Sequence, residues 1–96
     1  MSVILELSIF PMDKGVSVSP YVSRVVKIIK DSGLPYATNS MGTCIEGAWD
    51  EVHALVDRCF KELEQDCDRI YLMVKADYRK DRIDGMRKKV ESVHDE

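Results

Sequence analysis

Residues 3 to 10 alternate without a break: Val3, Leu5, Leu7 and Ile9 fall on one face of an extended chain and Ile4, Glu6, Ser8 and Phe10 on the other. This period of two is the strongest constraint in the sequence, because only a strand keeps such a set on one side. A second alternating run, Arg69 to Asp77, sets Ile70, Leu72, Val74 and Ala76 against Tyr71, Met73, Lys75 and Asp77. Between them lie two segments of helical period. In the first, Val22, Val25, Val26 and Ile29 make one apolar face, Ser19 and Pro20 supply a start in which Ser19 serves as N-cap, and Gly33 and Pro35 a stop. In the second, Val52, Leu55, Val56, Cys59, Phe60 and Leu63 repeat from about Asp50. Tyr36 to Ser40 and Thr43 to Gly47 read as a short hairpin turning at Met41 and Gly42.

The order βαββαβ, followed by a narrow stripe of Ile83, Met86, Val90 and Val93 on a final helix, predicts an α+β, ferredoxin-like fold. Two helices cover one face of a four-stranded antiparallel sheet with strands one and three central, and the C-terminal helix is an appendage. At 96 residues the chain buries about two-thirds of its unfolded surface, enough for one domain spanning 1 to 96. Ile4, Phe10, Tyr71 and Met73 are then left on the uncovered face, and a partner subunit is the economical way to cover them.

Composition narrows the function. Hydrophobic residues at 45%, charged residues at 32%, a net charge of −3 and a pI of about 5.4 describe an ordinary globular chain, with no excess of positive charge for a nucleic-acid backbone. The strand expected at Thr43 to Gly47 also lacks the aromatics on which an RNA-binding sheet stacks bases. No run approaches the roughly 20 apolar residues of a membrane span, and no basic segment precedes the first apolar run as in a signal peptide. Cys44, Cys59 and Cys67 form no short pair, so free thiols, a cytoplasmic setting and no metal site are expected. Cys59, on the stripe of the second helix, should be protected, and Cys67, in a loop, reactive.

Three groupings carry possible chemistry. The topology brings Ser17, Ser19 and Thr43 to one end of the sheet, where hydroxyls and helix-start N–H groups can form a polar pocket; the commoner meaning of Ser19 and Thr43 in such places is a helix cap and a turn residue. Glu6, Lys75 and Asp77 share the uncovered face, joined by Glu46 if Ile45 points inward, either as ligand carboxylates or as interface salt bridges. Residues 79 to 89 hold six basic side chains against two aspartates, a phosphate-binding patch or a solvated helix face. His53 and His94 have no nucleophile beside them in this pattern, and an acylphosphatase-type enzyme would want an arginine where the first loop has only Lys14.

The segments Ser17 to Val22, Tyr36 to Thr43, Glu46-Gly47, Lys75 to Arg79 and Lys89 to Val93 together resemble the small thiamine-binding-protein family over nearly the whole chain. The resemblance implies a ferredoxin-like subunit that pairs through its sheet and assembles into a tetramer, and a non-catalytic role in binding thiamine (vitamin B1) or its hydroxymethylpyrimidine part. It requires no cofactor. Carried over by position, the ligand candidates are Ser17, Ser19, Met41, Gly42, Thr43 and Glu46, with Glu6 a weaker one. The sequence departs from the pattern at Met12 to Gly15, which lengthens the first loop, and at Tyr78, where an aspartate is common. An aminopyrimidine offers N–H donors and a ring nitrogen, and a cationic thiazolium favours a carboxylate, so hydroxyls with a glutamate suit both parts. Exchange of Glu46 for glutamine is expected to weaken binding and leave folding intact. The alternatives are an oligomeric structural or regulatory module without a small ligand and, last, a small ferredoxin-like enzyme.

Overall fold

A computed structural model describes residues 2 to 95. The elements are β1 (Ser2–Pro11), α1 (Ser19–Asp31), β2 (Tyr36–Asn39), β3 (Gly42–Gly47), α2 (Trp49–Glu64), β4 (Ile70–Arg79) and α3 (Gly85–Asp95), and the sheet runs β2-β3-β1-β4, every pair antiparallel. This is the expected ferredoxin-like α+β arrangement, with β1 and β3 central. Val3, Leu5, Leu7 and Ile9 of β1 and Ile45 of β3 face α1 and α2, and meet Val25, Ile29, Val52, Leu55, Cys59 and Leu63 in one core. At a burial value of about 25 cal/mol per Å², each such side chain contributes roughly 1.5–3 kcal/mol.

Several local expectations shift. Val18, not Ser19, occupies the N-cap of α1, and no side chain among the described residues caps that helix; Ser19 is its first residue and Pro20 follows at a position where its missing N–H costs nothing. The hairpin turns at Ser40 and Met41, one residue earlier than expected, because the Asn39 side chain accepts the Met41 N–H at 2.8 Å and closes the turn there. Gly42 thereby enters β3, where the Leu7 carbonyl oxygen lies 2.7 Å from the position a Cβ would take. Cys67 is buried in the core cluster at 7% exposure rather than lying open in a loop.

β4 reaches Arg79 and is more exposed than its alternation implies. Leu72 and Val74 pair with Ile9 and Leu7 on the helix side, yet both are 40% exposed, because α1 and α2 lie over β1, β2 and β3 and leave the β4 edge uncovered. On the other face Tyr71 and Met73 are exposed as expected, and Phe10 stacks on Tyr71 at 5.6 Å. α3 corrects the expectation of a loose appendage. After a turn in which Asp81 and Asp84 take positive φ, it returns across the open face, contacts β1 and β3, and half-buries Ile4.

Candidate functional site

The turn that ends at Gly42 forms the mouth of a cavity of about 290 Å³ between α1 and the β2–β3 hairpin. Leu7, Ile9, Val22, Val25 and Val26 give apolar walls; Phe10 and Val18 close one side, and Thr38 to Thr43 supply the polar end. Within that end Thr38 and Thr43 are register partners whose hydroxyls lie 3.2 Å apart. Thr43 is buried and Thr38 exposed, so one hydroxyl pair joins the interior of the cavity to its rim. Among the described residues, no acid, base or thiol lines this cavity. A neutral space of that size, near the lower edge of the roughly 300–1,000 Å³ of small-molecule pockets, suits one uncharged ring carrying hydrogen-bonding groups.

Of the residues singled out from sequence, Met41, Gly42 and Thr43 come together here. Ser17 and Ser19 are exposed and do not line the cavity; Val18 between them does. Thr38, Asn39 and Ser40 were missed: a turn at Met41 and Gly42 would set Ser40 opposite Thr43, and the turn one residue earlier brings Thr38 there instead. The carboxylates lie elsewhere. Glu6 sits on the open face, where Lys75 Nζ approaches its Oε1 at 3.0 Å and the Cys44 thiol is near its other oxygen. This is a salt bridge within one subunit, where the second of the two readings had set one at an interface.

Glu46 is buried between the sheet and α3. Its Oε2 accepts the Ser2 hydroxyl at 2.6 Å and the Gly85 N–H at 2.7 Å, while Oε1 accepts the Met86 N–H at 3.0 Å. These N–H groups open α3, so a carboxylate from β3 satisfies the orphan donors and the positive dipole end of a helix begun 39 residues later. Burial pushes the Glu46 carboxyl up. The Met86 N–H, the Ser2 hydroxyl, the Gly85 N–H and the Arg82 charge together outweigh that, and the net is a value below the usual carboxylate range. These contacts give Glu46 a part in seating α3, so exchange for glutamine is expected to cost stability rather than leave folding intact. Arg82, one of the six basic residues between 79 and 89, is the second anchor: its guanidinium donates to the carbonyls of Ser2 at 3.1 Å and Asp77 at 2.6 Å and pairs with the Asp77 carboxylate at 3.1 Å. Arg82 lies across Gly85, where a Cβ would stand 2.5 Å from its Cδ.

Fold and cavity together define a ferredoxin-like α+β protein with a neutral pocket at the hairpin end of its sheet. The chain matches the family described as thiamine-binding protein over residues 5–94, and it belongs to that family. Its relatives include UPF0045 protein MJ1052 of Methanocaldococcus jannaschii, 35% identical over 91 residues that cover 95% of this chain and 91% of that protein. UPF0045 protein sll0230 of Synechocystis is 38% identical over 94 residues, covering 97% and 78%. The crystal structure of MJ1052 matches with a TM-score of 0.90 at 34% identity over 97% of this chain and 96% of that one. A Thermotoga maritima protein, TM0486, provisionally named a thiamine biosynthesis/salvage protein, shares the fold at a TM-score of 0.86 and 22% identity, over 97% and 99%. No helix among the described residues is long and apolar enough to cross a membrane.

Proposed function

We propose that the protein binds thiamine without chemical conversion, holding the aminopyrimidine ring in the cavity between α1 and the β2–β3 hairpin. The observation that carries this is the neutral lining, apolar on its walls and hydroxyl-bearing at Thr38 and Thr43. A neutral ring that donates and accepts hydrogen bonds is matched there. A thiazolium cation or a phosphate gains no charge partner inside and stays at the mouth. Family membership supports thiamine as the ligand class. The absence of a titratable group from the described lining supports a binding role over acid–base catalysis.

The subunit acts as a homo-oligomer, a dimer through the open sheet face and a tetramer by pairing of dimers; the exposed Tyr71 and Met73 support this reading. Three cysteines free of disulfides support the cytoplasm as its compartment. Calorimetry with thiamine, its phosphates and the free hydroxymethylpyrimidine tests the ligand. The pyrimidine alone should retain most of the affinity, and Thr43→Val should weaken both ligands about tenfold, the loss of one net hydrogen bond of about 1.4 kcal/mol. No heat from any of them at millimolar concentration would refute the ligand and leave an oligomeric module without one.

A further inference from the structure

A second cleft, of about 670 Å³, lies at the other end of the sheet between the end of β4 and α3. Four basic side chains line it, Arg79, Arg82, Lys88 and Lys89, and among the described lining residues only Asp77 is acidic. Asp77 is already spent, its carboxylate lying 3.1 Å from Arg82 and 2.8 Å from Lys89. Arg82 is held rigid at 8% side-chain exposure by the Ser2 and Asp77 groups. A guanidinium has five N–H donors, and these contacts leave one on Nη1 without an acceptor among the described residues. Arg79 and Lys88 have no ion pair among the described residues, whereas Arg87, on the other flank of α3, is neutralised by Asp84 and Glu91. Gly85, Lys88, Lys89 and Ser92 recur at helical spacing on one side of α3, so the Ser92 hydroxyl joins the cations there. This excess of positive charge runs against a chain whose net charge is −3.

We propose that this cleft binds a phosphate group, either inorganic phosphate or the phosphoryl end of a small organic phosphate, between Arg79, Lys88 and the fixed Arg82. The site is independent of the pyrimidine cavity. That cavity abuts Leu7 to Phe10 of β1, while the cleft lies at the Ser2 end, where Arg79 pairs with Ser2. At about 3.4 Å per residue the two are roughly 20 Å apart, too far for one thiamine phosphate to span. Phosphate and pyrimidine therefore bind the same chain without competing.

The test titrates the full chain with inorganic phosphate and with glycerol phosphate at low ionic strength, following backbone amide signals by NMR. Saturable shifts at Lys88, Lys89 and Ser92 are expected, with affinity falling as sodium chloride is added. Arg79→Ala with Lys88→Ala should weaken binding at least tenfold at an unchanged melting temperature, while Lys30→Ala with Arg58→Ala, an equal loss of charge elsewhere, should not. Tighter binding of the monoester assigns the site to organic phosphates, and equal or tighter binding of inorganic phosphate to the free ion. Shifts scattered over all lysines, or equal losses in both double variants, would overturn the proposal.

Discussion

Replacing Glu46 by glutamine isolates the contact that seats α3. The carboxylate accepts three hydrogen bonds, from the Ser2 hydroxyl and the N–H groups of Gly85 and Met86, and all three come from groups that have no other use for their protons. An amide keeps one oxygen and turns the other site into a donor. If the oxygen takes the place of Oε2, the Met86 N–H faces an NH₂ group. Hydrogen bonds to a charged acceptor contribute about 1.5–3 kcal/mol and neutral ones about 0.5–1.5, and an uncompensated buried donor costs about 1–3. The sum is about 2–4 kcal/mol, with Arg82 still holding the turn. For a domain of this size each kcal/mol moves the melting temperature by about 4–8 °C, so a fall of about 10 °C or more is expected by circular dichroism. Hydrogen exchange should show the α3 amides losing protection before those of β1. A melting temperature within about 2 °C of the unaltered chain, with α3 still protected, would refute this account of the helix. The same contact responds to acid. Because the folded carboxyl titrates below its ordinary value of 4.5, the stability it gives is complete above that value and is lost as pH falls through the lowered one, so α3 should detach in that range at a pH where the glutamine variant shows no further change.

Alkylation followed by mass spectrometry should label Cys44, half-buried on the open face, before the buried Cys67 and Cys59, whose thiol is pushed up to about 11 by burial; early labelling of Cys59 would contradict the packing of α2. Gly42→Ala drives a Cβ to 2.7 Å from the Leu7 carbonyl oxygen and should cost about 1–3 kcal/mol while weakening pyrimidine binding, since the hairpin that moves is the rim of the cavity; an unaltered melting curve would show that the two strands separate freely. Met73→Asp places a charge on the exposed open face and should give a monomer by light scattering, with Cys44 labelled faster than before; an oligomer of unchanged mass would refute pairing through that face.

What the sequence reveals and conceals follows from the range of the interactions. Alternation in β1 and the stripes of α1 and α2 are local consequences of burying one face, so the core at Leu5, Ile29 and Leu55 was legible, as was the central place of β1 and β3, while the inward side of Ile45 was left open. The hairpin was legible to within one residue, and that residue decides whether Gly42 is a turn glycine or a strand glycine admitting a backbone carbonyl. The role of Glu46 was not legible, because its donors lie 39 and 40 positions onward and its own strand marks only an alternate face. Nor was the open helix-side face of β4, whose Leu72 and Val74 carry the same pattern a covered strand would. The cavity was found in part: the resemblance marked Met41 to Thr43, while Thr38 needed the register and Ser17 and Ser19 point to no wall of it.

The ladder between β1 and β4 has a consequence for the order in which the chain acquires its shape. Ser2 pairs with Arg79 and Pro11 with Ile70, so of the three strand ladders this one closes the longest loops. The β2–β3 turn, by contrast, joins Asn39 to Gly42 and costs little chain entropy. On the ribosome, β1 can meet β3 and the two helices while β4 is still unmade, leaving one edge of the central strand without partners. Folding is then paced by a late, non-local pairing, the kind that slows two-state folding most. Until β4 arrives, the free edge of β1 is where a nascent chain would exchange strands with its neighbour.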